Sequence, residues 1–178
     1  MGGAVVLKFM GENYDDLPIL AAVAVSAPID FGATCARMMA RRNLAYQRHV
    51  LRAMKREALA PGAALSSAER AVVAAVRNVY EFDDLFVAPH FGYRNALHYY
   101  VANEPKRFLS SIARPTLMVH ALDDPWIPGQ CYAAVDWSRL PMIEAVLTSR
   151  GGHLGFHGLG SPIAWHDRVT AHWLSKVL

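Results

Sequence analysis

PTLMVHALDDPWIP, residues 115–128, holds the pattern that decides the fold. Its first seven residues are nearly all apolar and too few for a helix, the mark of a strand buried on both faces. Asp123, Asp124 and Pro125 then end the run in a turn. Upstream, ILAAVAV (19–25) is a second such run, bounded by Pro18 and Pro28. Downstream, MIEAVL (142–147) is a weaker third, followed by the glycine-rich SRGGHLGFHGLG (149–160). Helical patterns fill the intervals. Gly3–Glu12 has Val5, Val6, Phe9 and Met10 at helical spacing. Phe31–Leu59 sets Met38, Met39, Val50, Leu51 and Met54 against a row of arginines. Ser66 or Ser67 can cap a helix running to Tyr80. Ala96–Asn103, Pro105–Ile112 and a last helix from Ser161 or Pro162 to Val177 complete the series, while EFDDLFVAPHFGYRN (81–95) reads as loop. This order is that of an α/β protein. Three strands this apolar would leave a hydrophobic edge unpaired, so the expectation is an incomplete parallel sheet.

Composition bounds the function. The 178 residues are 53% hydrophobic and 19% charged, which excludes a disordered or solvating segment. They suffice for one domain and not comfortably for two. The longest nearly apolar run, Leu17–Ile29, is interrupted by Pro18, Ser26 and Pro28 and falls short of the roughly 20 residues of a membrane span. No transmembrane segment is expected. The N-terminus has no basic region or cleavage pattern of a signal peptide, and Cys35 and Cys131 are too few for a disulfide scaffold. The expectation is a cytoplasmic protein with two buried thiols. Arg37–Glu57 carries seven basic residues and one acid, so its +6 exceeds the chain's net +3 and the remainder is acidic. The high pI is therefore a property of one segment and poor evidence for a nucleic-acid-binding domain.

An acid at the end of a buried strand stands where open α/β sheets place their working residues. About 30 residues on, His153 lies in the glycine-rich turn after the last strand. That succession is the acid–base half of a Ser-Asp-His triad in α/β-hydrolase order. The carboxylate fixes the imidazole's tautomer, and the imidazole takes the nucleophile's proton. The nucleophile should sit upstream in a G-x-S-x-G elbow. The chain opens MGGAVVLK (1–8), which reads as the tail of such an elbow and its helix, with the serine falling just before Met1.

The pieces MGGAVVLKFMGE, AVAVSAPID, VYEFDDLFVAPHFGYRNALHYY, PTLMVHALDDPWIP and GGHLGF occur here in that order. Together they resemble the YheT-like branch of the α/β-hydrolases, the ABHD-type serine esterases and phospholipases, over essentially all 178 residues but only the C-terminal portion of such a protein. The resemblance implies part of an α/β-hydrolase domain over 1–178, about three parallel strands with a helical cap at about 31–112. It implies a cofactor-free serine hydrolase of carboxylic esters, acyl esters or lipids, working through an acyl-enzyme. It makes His153 the base and Asp124 the orienting acid, preferred over Asp123 because DPWIP matches the family's turn. Met1 would carry an oxyanion-hole amide. The chain by itself lacks the serine and is expected to be inactive. Two rival readings are a non-catalytic short form that binds a partner and a mis-started gene fragment with no function of its own.

Other residues have plainer expected roles. Ser26 lacks the flanking glycines of an elbow and reads as structural. His153 and His157 have HxxxH spacing, but their glycine-rich setting is not the helix a zinc pair needs, so no metal is expected. His98, Tyr99 and Tyr100 read as packing within the cap. Arg48, Arg52 and Arg56 share one helix face, read first as solvated surface, then as a contact with anionic lipid or substrate, and last as one with nucleic acid.

Overall fold

The computed structural model describes residues 1–12, 17–158 and 160–178. It divides into two compact units, Met1–Ala33 with Glu104–Leu178, and Thr34–Asn103.

The first unit is built on three parallel strands, β1 (Ala22–Val25), β2 (Thr116–Ala121) and β3 (Ile143–Thr148), lying side by side in that order. Val25 pairs with Val119, and Ala121 with Thr148, so all three chains leave the sheet at one edge. The central strand is buried along its whole length, as its apolar run requires. Ala22, Ala24, Met118 and Ile143 face one layer, made by Leu7 and Met10 of helix α1 (Gly2–Gly11) together with Leu109, Ile112 and Tyr132. Leu117, Val119 and Ala121 face the other, against Phe156 and against Trp173 of the C-terminal helix (Trp165–Val177).

α1 buries Ala4, Leu7, Met10 and Gly11 and leaves Val5 65% exposed, so its inward face is not the Val5/Val6 side the spacing suggested. The glycines decide this. A Cβ at Gly3 would stand 3.0 Å from that of Ala27, and one at Gly11 would meet the Phe108 carbonyl at 2.5 Å. Only that face can lie so close to the sheet. The C-terminal helix begins at Trp165 rather than at 161, because the Trp165 amide bonds back to the Phe156 carbonyl.

The second unit is helical. The expected single helix over 31–59 is two, α2 (Phe31–Met39) and α3 (Leu44–Ala58), separated by an extended Ala40 and a tight turn at Arg41–Asn43. The Asn43 amide donates to the Arg37 carbonyl at 2.9 Å, local side-chain competition of the kind that ends helices. Ser66 caps α4 (Ser67–Ala75) in a reciprocal capping box with Glu69, and α4 stops five residues short of Tyr80. Residues 81–95, expected as loop, are mostly helical. α5 (Val79–Phe82), a π-helical turn (Asp83–Val87) and α6 (Ala88–His90) run on from one another, and α7 (Ala96–Asn103) follows. Leu51, Val73, Val76, Phe82 and Phe86 form this unit's core.

Candidate active site

Asp124 and His153 meet at the carboxyl edge of the sheet. β2 ends at Ala121, and the next residues fold back tightly. The Leu122 amide bonds the Thr148 carbonyl, and the Asp124 amide bonds that of Ala121. Asp124 then closes an Asx turn, its Oδ1 accepting from the amides of Trp126 (2.8 Å) and Ile127 (3.0 Å). Beyond Pro128 comes α8 (Gly129–Ala133), whose first residue abuts the Leu122 backbone so closely that a Cβ would lie 2.7 Å from its carbonyl oxygen.

After β3 the chain reaches Gly151, where a Cβ would strike the Phe156 ring at 2.8 Å and Ala121 at 3.0 Å. Gly152 has φ +59°, a left-handed value that an L side chain rarely adopts. Two closing bonds, from the Gly155 and Phe156 amides to the Gly151 carbonyl, fold the loop over buried Phe156. His153 stands on this loop.

Its Nδ1–H donates to Asp124 Oδ2 at 2.8 Å. A carboxylate can only accept, which assigns that proton to Nδ1 and leaves Nε2 as the free basic nitrogen. Asp124's side chain is wholly buried, whereas that of His153 is 24% exposed. Burial alone would raise the Asp124 pKa. The His153 bond and the two backbone amides more than offset it and hold the carboxyl below its usual range. An ionised carboxylate in a dry setting, bonded to the Nδ1 edge of a partly exposed imidazole, is fitted to orient a base.

Three neighbours of this pair make contacts that the sequence did not show. Asp123 Oδ1 accepts from the Gly152 amide at 2.8 Å, tying the histidine loop to the acid turn. The Trp126 ring stands edge-on to the His153 ring, centroids 4.7 Å apart. His120, on β2, is fully buried and stacked on Tyr132 at 4.0 Å, with neither ring nitrogen hydrogen-bonded. Burial pushes its pKa down to about 4, so this ring is neutral at physiological pH.

Met1 precedes α1 and is 72% exposed, its carbonyl accepting from the Ala4 amide. Gly3 packs on Ala27 just past the end of β1, so α1 begins at the same carboxyl edge as Asp124 and His153. Ser26 also lies at this edge, but its hydroxyl is buried and its φ is +46°. His157 is exposed, and among the described residues no three His, Cys, Asp or Glu side chains cluster as a metal site would need. In the helical unit His98 Nδ1 accepts from the Arg94 amide, and the Tyr100 hydroxyl donates to Asp83 at 2.5 Å. Neither cysteine is in a disulfide, and no described helix is long and apolar enough to cross a membrane.

A parallel α/β sheet carrying a strand-end acid bonded to a loop histidine is an α/β-hydrolase arrangement. No family model matches the sequence. The chain is 36% identical to the Escherichia coli K12 protein YheT, named as an esterase, over 183 aligned residues that take in all of this chain and 54% of that protein. It is 27% identical to an abhydrolase domain-containing protein of Dictyostelium discoideum, again over all of this chain and 46% of that one. Among solved structures, a 2,6-dihydroxy-pseudo-oxynicotine hydrolase superposes on 99% of the chain with a TM-score of 0.53 at 18% identity, covering 37% of that hydrolase. The chain belongs to the YheT-like, ABHD-type family of α/β-fold hydrolases. It spans about half the length of the curated relatives it matches.

Proposed function

We propose that Asp124 and His153 are the acid and base of a cytoplasmic serine hydrolase of carboxylic esters, acyl esters or lipids. The observation that carries this reading is the 2.8 Å bond from His153 Nδ1 to a buried Asp124 carboxylate at the carboxyl edge of the sheet. The nucleophile is a serine immediately N-terminal to Met1. The start of α1 at that same edge supports the assignment.

In this mechanism Asp124 holds the Nδ1–H tautomer, and Nε2 removes the serine proton as the hydroxyl attacks the ester carbonyl. The Met1 backbone amide, with a residue before it, helps bind the oxyanion. The imidazolium returns its proton to the departing alkoxide, leaving an acyl-enzyme. Water activated by the same nitrogen then releases the acid. No cofactor takes part. The helices between 31 and 112 serve as the cap that selects the ester.

Hydrolysis of p-nitrophenyl butyrate tests the reading. The 178 residues alone are expected to show background rates. The chain extended by residues encoded in frame upstream of Met1 is expected to turn over, and to stop in His153→Ala. Robust turnover by the 178 residues alone, lost in His153→Ala, would move the nucleophile to Ser26.

A further inference from the structure

Arg48, Arg52 and Arg56 stand one turn apart along α3, and all three side chains are exposed. Arg41 and Arg42, in the turn that leads into the helix, are exposed as well. None of the five side chains takes part in an ion pair or hydrogen bond among the described residues. Like charges at i, i+4 repel one another, so the row is unfavourable until anions outside the chain neutralise it. The opposite face of α3 buries Leu51 in the unit's core, which fixes the helix with its arginines outward.

The rest of the outward face narrows the partner. Leu44 (36% exposed), Ala45, His49 and Ala53 lie among the arginines, and Glu57 is the one exposed acid on α3. The two amide side chains of this segment, Asn43 and Gln47, are turned inward, 6% and 2% exposed. A helix that reads adenine edges uses such side chains, and this face offers none. It offers guanidinium groups, which match phosphate in two-point contacts, spread over about 12 Å from Arg48 to Arg56 at a 1.5 Å rise per residue. Leu44 adds an apolar contact at the start of the row. The remainder of the chain is net negative, so approach to an anionic plane would be oriented with α3 leading.

We propose that α3 is a docking surface for an anionic phospholipid bilayer, with Arg48, Arg52 and Arg56, aided by Arg41 and Arg42, on headgroup phosphates. The inference does not depend on the hydrolase reading, because binding is read without turnover. The test is flotation of the 178-residue chain with vesicles of phosphatidylcholine alone and of phosphatidylcholine mixed with phosphatidylglycerol. Binding is expected to the mixed vesicles only, and to weaken as salt shortens the screening length below about 8 Å. At about 1 kcal/mol per arginine near an anionic surface, Arg48→Gln/Arg52→Gln/Arg56→Gln should lower partitioning about 100-fold. The corresponding triple lysine variant keeps the charge and should stay within about tenfold of the unmodified chain. Unchanged binding by the glutamine variant, equal binding to neutral vesicles, no binding, or a lysine variant as weak as the glutamine one would each overturn the proposal. Tighter, arginine-dependent capture by homopolymeric RNA than by mixed vesicles at equal phosphate would also overturn it, assigning the face to nucleic acid.

Discussion

Asp123 and Asp124 are chemically identical neighbours with different surroundings. Asp124 is 2% exposed and accepts from two backbone amides and the His153 ring, whereas Asp123 is exposed and has one oxygen on the Gly152 amide. Their substitutions should therefore separate. In the extended chain, Asp124→Asn preserves shape but removes the charge that stabilises the imidazolium, and kcat is expected to fall about 10⁴-fold. Asp123→Asn keeps an oxygen for Gly152 and should cost less than Asp123→Ala, which releases the histidine loop. Steady-state ester hydrolysis checks the order; equal losses in both Asn variants would contradict it. Linkage adds a sign. Asp124's folded pKa is depressed, so its contribution to stability is present above the ordinary value of 3.8 and lost as the pH falls through the lowered one. The Asp–His pair was legible because strand-end acid and loop histidine are residue-type patterns. The Asp123 anchor was not, because its partner is a backbone amide that every residue but proline carries.

At the scale of elements, the strands were readable to within three residues because continuous apolar runs bounded by proline have few alternatives. Residues 81–95 misled because Asp, Pro and Gly commonly mark loops. Here tertiary partners absorb them: Asp83 accepts from the Tyr100 hydroxyl, Asp84 from the Ala96 amide, and Pro89 lies near the start of α6. The helix continues through a π turn instead of stopping. Burial pushes the Asp83 carboxyl from 3.8 up to about 6, against the pull of the Tyr100 bond. Folding thus takes up a proton between those values, and the helical unit loses stability as the pH rises from about 4 to about 6, by on the order of 3 kcal/mol. Asparagine is neutral throughout and can still accept from Tyr100. Asp83→Asn should raise the thermal midpoint by about 5–10 °C near pH 7.5 and leave it unchanged below about pH 4. Calorimetry at the two pH values decides; a lowered midpoint near pH 7.5 would show that the ionised carboxylate is favourable where it lies.

For the whole molecule, sequential parallel strands, flanking helices and similarity to about half of YheT over all of this chain agree on the family. The break in α2/α3 and the inward face of α1 were not legible, because both are set by single close contacts, at Asn43, Gly3 and Gly11. The central claim is that His153, held by Asp124, activates a serine standing immediately before Met1. Fluorophosphonate labelling with peptide mapping, on the chain extended in frame upstream, tests it most directly. The adduct is expected on that serine and should disappear in His153→Ala. An adduct on Ser26, labelling indifferent to His153, or no serine at the preceding position would contradict the account.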